Sequence, residues 1–509
     1  MNHSIQSSPR RWWVLGALAI SLLTIGLDMT VLNLALPVLA TDLHATTSEL
    51  QWFANAYNLV LAAALLPAGM LGDRYGRKKL LLIALILFGA ASAACAYATS
   101  SGALIAFRAI LGLGAALLMP ISLSLVPVLF SDEERPKAMR LWVTASALGM
   151  PLGPILGGWL LDHYRWGSIF LINLPIILIG ILAVGFFLPE SRNTERGRVH
   201  VSGIITSSLG LVAITYGVTR SGEAGWGDIL TLASVIAGGL LLVMFVRSAR
   251  RSRHPLVDLS LFREARFTWG ATLATLVNFA LFGVLFGLPL YLQAVQGVDA
   301  QSTGLRILPL IGGLIVGARL SGMLAAKTGD KLLVAIGFLI MAVGLGLGGL
   351  TGLETNYGYT ALWVSLVGVG LGFALPAAMD AALGVLPFER SSVGSAVIMT
   401  MRQIGGTIGV AFLGALLNAV YGRNLDVDDL PGPTAAAVRD SVSSGVAFAR
   451  QLDSAALLDS VRSAFVNGLD VMLAVCGAIA VLGFALTLVF WPKRAPVRTA
   501  RERSAGMLD

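Results

Sequence analysis

Apolar residues run through this 509-residue chain in long stretches, broken by short polar turns rich in Lys, Arg, Gly and Pro. About fourteen stretches between residues 12 and 491 reach roughly 20 residues, enough to cross the ~30 Å hydrocarbon core of a bilayer as helices. They lack the ten-residue alternation of a membrane barrel. The pattern therefore predicts an all-α integral membrane bundle, in which each backbone satisfies its own hydrogen bonds. Six stretches fill 12–188 and six fill 267–491, while 189–266 is a linker carrying two more between basic loops. The predicted plan is two six-helix halves plus two inserted helices, and paired halves place a transporter's site near the bilayer midplane. A weak internal repeat agrees: GMLGDRYGRK at 69–78 has the counterpart GMLAAKTGDK at 322–331. A long polar, Ala-rich connection, 422–468, precedes the last stretch and carries a Pro-Gly-Pro turn at Pro431.

Composition and charge agree with this pattern. Hydrophobic residues make up 56% of the chain and charged residues 13%, about half the share of a soluble domain. With 14 spans, 26 of the 36 Lys and Arg fall on the side of the two termini, 1–11 and 492–509, and 6 on the other. The positive-inside rule then puts both termini in the cytoplasm and assigns the net charge of +8 to inner-leaflet anchoring rather than to nucleic acid. The first stretch is too long for a signal-peptide core and is read as the first helix. Cys95 and Cys476 lie inside apolar stretches without metal or disulfide spacing.

Polar side chains inside such stretches are costly, which makes them candidates for function. Asp28 lies about 16 residues, hence about 24 Å, beyond Trp12 along its helix. There one carboxylate can hold a proton or pair with a cation, in competition; a carboxyl bonded to Thr30, Asn33 or a neighbouring helix is the structural alternative. Arg108 keeps its charge and must face a cavity or an acid. Asp380 is a second acid near its stretch's cytoplasmic end, where coupling, substrate binding and capping by Arg390 or Arg402 all stay open. Asp470 opens the last stretch, where a carboxylate complements the helix dipole. Asn55 and Tyr57, deeper than Trp52 and Phe53, are placed to line a cavity whose aromatic face takes a lipophilic cation. Arg306 and Arg319 fall near helix ends, and Arg402 heads a Gly-rich helix, positions that suit packing and gating.

Several motifs occur in a telling order: LDMTVLNLALP at 27–37, GMLGDRYGRKKL at 69–80, RAILGLGAA at 108–116, GMPLGPILGG at 149–158, then Arg165-Trp166 and FLINLP at 170–175. Together they resemble the major facilitator superfamily, and within it the fourteen-helix drug/proton antiporters; Leu111 stands where that family has Gln. The resemblance covers nearly the whole chain. It implies the superfamily fold with cytoplasmic termini, in a bacterial cytoplasmic (inner) membrane, as a monomer. It also implies export of hydrophobic, cationic small molecules by alternating access, driven by a proton gradient without a cofactor. Proton and substrate binding would fall to Asp28, Arg108, Asp380, Asn33, Asn55 and Tyr57. Gly69, Asp73, Arg74, Gly76 and Arg77 would form the conformational switch, through charged contacts that exist in one bundle orientation and break in the other. Gly149, Gly153, Pro154, Gly157 and Gly158 match the antiporter motif, whose glycines permit close helix approach and whose prolines bend the helix.

Other readings remain in view. A narrow exporter of one antibiotic or metabolite would share every motif. A membrane enzyme or sensor lacks support, since no HExxH, CxxC, Walker or Ser/His/Asp constellation appears. A channel would show no accumulation against a gradient.

Overall fold

Helices form almost everything described, and no strand occurs among the described residues. In this computed structural model those residues are 10–491, apart from 131–133, 189, 191–200, 253–258, 387 and 428–429. The first half comprises α1 (Arg10–Asp42), α2 (Thr47–Tyr75), α3 (Arg77–Ala96), α4 (Ser101–Leu129), α5 (Arg135–His163), the single turn α6 (Ser168–Leu171) and α7 (Asn173–Phe187). The inserted pair is α8 (Val201–Ala224) and α9 (Ile229–Arg251). The second half comprises α10 (Ala265–Leu290), α11 (Ala300–Thr328), α12 (Asp330–Gly348), α13 (Tyr357–Leu383) and α14 (Phe388–Asn424). Two short helices, α15 (Gly432–Asp440) and α16 (Val442–Gln451), lead into α17 (Ala455–Phe490). Twelve helices are long and apolar enough to cross a membrane, counted among the described residues. The 29-residue helices α2 and α5 stand in the same bundle.

Helix starts follow from local sequence. Thr46 and Glu49 form a capping box at α2, and the side chains of Ser100, Asp228, Asp299, Asn356 and Ser454 accept from the first-turn amides of α4, α9, α11, α13 and α17. Between α2 and α3 the chain turns at Gly76, whose φ of +107° suits a residue without a Cβ.

The halves meet along α2 against α14 and α5 against α11, with α1 also touching α10. Gln403 Nε2 donates to Asn58 Oδ1 at 3.4 Å across the first seam. At the second, Asp162 at the end of α5 accepts from the backbone amides of Ala300 at 3.1 Å and Gln301 at 2.9 Å, capping α11 from the opposite half. Gln293 Nε2 donates to the Leu34 carbonyl at 2.8 Å nearby. The inserted helix α8 leans on α14 and α2, and α9 packs on α8. Ile236, Leu240, Val243 and Met244 of α9 point outward, an apolar face suited to lipid.

Two expectations need correction. The last helix begins at Ala455, not near 469, because Ser454 supplies a cap and α17 extends well beyond its most apolar part. The connection 422–468 therefore holds α15, α16 and the first turns of α17. Asp470 accordingly lies deep inside α17 and complements no helix start.

Close approach decides stability here. A Cβ at Gly112 of α4 would collide with the Tyr57 carbonyl of α2, whereas one at Gly346 of α12 would meet nothing within 4 Å. Gly112→Val is expected to cost about 1–3 kcal/mol, read as a lower melting temperature in detergent, and Gly346→Ala to leave it unchanged or raise it. A second expectation concerns the α8–α9 turn. Arg220 Nε donates to Asp228 Oδ2 at 2.8 Å, which also accepts from Thr231 N at 2.9 Å. Chiefly the Arg220 hydrogen bond, then that amide, hold the Asp228 carboxyl below its ordinary 3.8, at about 2. The cap is therefore present above pH 3.8 and lost as pH falls through about 2. Hydrogen exchange at the first turn of α9 should rise across that window, and Asp228→Asn should show no such step.

Candidate functional site

Inside the first half, α1, α2 and α4 bring three polar side chains together away from solvent. Arg108 of α4 donates through Nη1 to Asp28 Oδ2 of α1 at 2.5 Å, with side-chain exposures of 2% and 3%. Arg108 Nε donates to the Phe53 carbonyl of α2 at 2.9 Å, and its guanidinium carbon lies 4.6 Å from the centre of the Tyr57 ring. The cation is thus held on three sides by a carboxylate, a backbone oxygen and an aromatic face. A planar guanidinium can make these contacts at once, as an ammonium cannot. Removing either charge from such a buried pair strands the other, and that penalty fixes the pair in place.

Polar capacity is left over around it. Both amide atoms of Asn55, the Tyr57 hydroxyl and Asn33 Oδ1 are buried without hydrogen-bond partners. Folded interiors rarely leave such atoms unpaired, so a group of them marks where a polar ligand would find partners. Asn33 Nδ2 donates to the Met29 carbonyl at 2.9 Å. Asn33 and Thr30 line a cavity of about 30 Å³ between the halves, walled on the far side by Leu281, Leu285 and Ile307. A second cavity, about 880 Å³, lies apart from this cluster, among the ends of α8 and α14 and the short helix α15.

The sequence-predicted residues divide accordingly. Asp28, Arg108 and Tyr57 are brought together, Asn55 lies on the intervening turn of α2, and Asn33 sits further along α1 at the inter-half cavity. Asp380 is not part of the cluster: it is exposed near the end of α13, a helix that packs on second-half helices. Arg402 does not cap it. Arg402 instead donates through Nε and Nη2 to Asn278 Oδ1 at 3.4 and 3.3 Å, tying α14 to α10, while the side chain of Arg390 lies outside the described residues.

The antiporter-motif glycines face two ways. A Cβ at Gly149, Gly153 or Gly157 would run into Leu23, Thr30 or Val31 of α1, and one at Gly158 into Ala300 and Gln301 of α11. The Pro154 carbonyl faces Gly304 of α11 at equally close range. One stretch of α5 thus seats α1 and touches the opposite half.

At the 69–78 loop the side chains of Asp73 and Arg74 lie outside the described residues and Gly69 lies within α2, while Gly76 follows the end of α2 and Arg77 begins α3. Sequence reasoning missed Glu190 here. Its carboxylate accepts from the amides of Lys78 at 3.2 Å and Lys79 at 3.3 Å, capping α3 from beyond α7. It also missed the Phe53 carbonyl and Asp162. A backbone acceptor leaves no mark in sequence, and the partners of Glu190 and Asp162 lie more than a hundred residues away.

Residues 18–410 match the family model described as Major Facilitator Superfamily. The chain is 33% identical over 507 residues to the tetracenomycin C resistance and export protein of Streptomyces glaucescens, covering 97% of this chain and 94% of that one. It is 34% identical to the multidrug efflux pump LfrA of Mycolicibacterium smegmatis, covering 95% and 98% of the two chains. The fold resembles a bacterial homologue of the human lysosomal transporter Spinster in an inward-facing, unoccupied conformation, with a TM-score of 0.68, 17% identity and coverage of 96% and 100%.

Arg108→Gln should leave the Asp28 carboxylate buried without its cation and cost roughly 3–5 kcal/mol, measured as thermal stability in detergent. The double variant with Asp28→Asn should recover part of that loss. Equal stability of Arg108→Gln and wild type would mean that the pair does not hold α1 to α4.

Proposed function

The chain belongs to the Major Facilitator Superfamily, and from this and its buried ion pair we infer proton-coupled export of lipophilic, cationic drugs, dyes or antiseptics from the cytoplasm. The observation that carries the reading is Asp28: a carboxylate out of water, held by Arg108 and bordered by unpartnered polar atoms. A proton neutralises the carboxylate and frees the guanidinium. A cationic substrate replaces the guanidinium contact, and Tyr57 offers it an aromatic face. One carboxylate cannot satisfy both ligands, so loading one expels the other.

The membrane arrangement goes with this reading. We count α2 and α5 with the twelve apolar helices, giving fourteen spans, and the Lys and Arg asymmetry supports cytoplasmic termini, in our reading within a bacterial cytoplasmic membrane. α15 and α16 then lie outside, and the Asp162, Gln293 and Gly158 contacts close the outer side of the inter-half seam. An inward proton gradient supplies about 2.3 kcal/mol per charge per 100 mV, with no cofactor and with a monomer sufficient. A narrower reading has one support: a relative is described as a tetracenomycin C export protein, which suits a single-compound exporter.

Energised cells or inverted vesicles should expel ethidium or a quaternary ammonium dye, and a protonophore should abolish that efflux. Asp28→Asn, correctly inserted, should reduce it to background. Efflux that persists with protonophore or with Asp28→Asn would contradict the reading. Resistance to one antibiotic with no dye transport would favour the single-compound exporter.

A further inference from the structure

A second carboxyl, half-buried with one oxygen out of reach of solvent, lies in the other half, and the mechanism above does not use it. Asp470 sits on α17 about 15 residues, hence about 22 Å, past the helix start at Ala455. Its Oδ1 is buried without a partner, and no hydrogen bond or ion pair reaches its carboxyl among the described residues. Three other buried polar atoms in this region are also unpartnered: Trp363 Nε1, Thr360 Oγ1 and Thr351 Oγ1. Thr360 and Trp363 are one turn apart on α13, on the same side of the helix.

The neighbourhood is fixed by close packing. A Cβ at Gly348, the last residue of α12, would lie 3.1 Å from the Trp363 ring and 3.2 Å from Leu473, one turn beyond Asp470. A Cβ at Gly349 would lie 3.5 Å from the Asp470 carbonyl. Asp470 is therefore level with the end of α12, close to the face that carries α15 and α16. Asp28 lies about 21 Å along α1 from that helix's end at Asp42, and so nearer mid-bundle.

A polar chain continues from this pocket. Tyr291, on the π-helical turn Tyr291–Val295, donates to the Gly352 carbonyl at 2.8 Å. Gln296 Nε2 donates to the Tyr291 hydroxyl at 2.9 Å, and Arg306 Nη1 donates to Gln296 Oε1 at 3.3 Å. The remaining ionisable groups on the elements around α17 are engaged or displaced. Tyr359 donates to the Leu347 carbonyl at 2.7 Å, and Glu354 is exposed on the turn after α12. Lys331 of α12 donates to the Leu488 carbonyl at the far end of α17. Arg402 of α14 is bound to Asn278, and neither Arg423 of α14 nor Arg450 of α16 forms an ion pair with Asp470. Arg462 of α17 lies two turns before Asp470, and among the described residues no ion pair to the Asp470 carboxylate forms.

We propose that Asp470 is a second proton-binding site, loaded from the face that carries α15 and α16 and separate from the Asp28–Arg108 pair. The carboxylate takes a proton from hydronium, leaving water, and returns it to water by the reverse step; no other bond changes. The neutral acid carries no charge into this half-buried pocket, whereas the anion has no ion-pair partner among the described residues. An acid held by nothing else is set by proton supply.

The test of Asp470 needs a readout that packing alone would not move. Purified protein in detergent is titrated by potentiometry as wild type, Asp470→Asn, Asp28→Asn and the double variant, each shown monodisperse by gel filtration. Asp470→Asn is expected to remove about one proton equivalent, additively with Asp28→Asn, since distant sites titrate independently. Trp363→Phe keeps the ring and removes the unpartnered donor; it should shift the midpoint of that equivalent without removing it. A titration of Asp470→Asn that superimposes on wild type overturns the proposal. So does an unmoved midpoint in Trp363→Phe. In proteoliposomes, where the readout also rests on the antiport reading, the slope of log efflux rate against pH should fall from about two to about one in Asp470→Asn. An unchanged slope overturns the coupling role. The titration stands whether or not any dye is transported, which separates this proposal from the antiport reading.

Discussion

Everything proposed for this protein depends on one ion pair kept out of water. Asp28 and Arg108 lie in a bundle that offers few other partners, so each sets the state of the other. The backbone carbonyl of Phe53 and the ring of Tyr57 complete the cradle, binding α2 to the pair without a charge of its own. A proton or a cation reaching Asp28 has to change the contacts of three helices, which is how a small ligand can act on a large assembly.

The path from that pair to the rest of the bundle runs through close packing. α1 carries Asp28, and α1 is seated on α5 through Gly149, Gly153 and Gly157. The same stretch of α5 meets α11 of the other half at Gly158, Pro154 and Gly304, and ends at Asp162, which caps α11. Contacts between backbones at this range leave no slack, so α1 and the seam between the halves move together or not at all. In the alternating access proposed for the chain, the Asp162 contacts are those that break when this end of the seam opens.

Much of this was legible in the sequence. Apolar stretches and their polar breaks give the helices, because hydrocarbon admits only a backbone that meets its own hydrogen bonds and the barrel's alternation is missing. Asp28 and Arg108 stand out because charge is rare and costly in such stretches. The glycines and prolines at 149–158 announce close packing, though not the identity of the neighbours. Asp470 was misread because hydropathy marks where apolar residues begin, whereas α17 begins at Ser454, in polar sequence that a membrane pattern ignores. Asp380 was read as a second acid near a helix end, with coupling, substrate binding and capping all open, and it lies exposed near that end. The caps from Glu190 and Asp162 and the carbonyl of Phe53 depend on tertiary contacts that no local pattern encodes.

The most direct test of the central claim is proton release on substrate binding, followed with a pH indicator in weakly buffered detergent solution. Adding a quaternary ammonium dye to purified wild-type protein, at a pH low enough that Asp28 carries its proton, should release about one proton per dye bound from the carboxylate they share. Asp28→Asn should release none on whatever dye it still binds. Saturable dye binding to wild type with no proton released would contradict competition at Asp28.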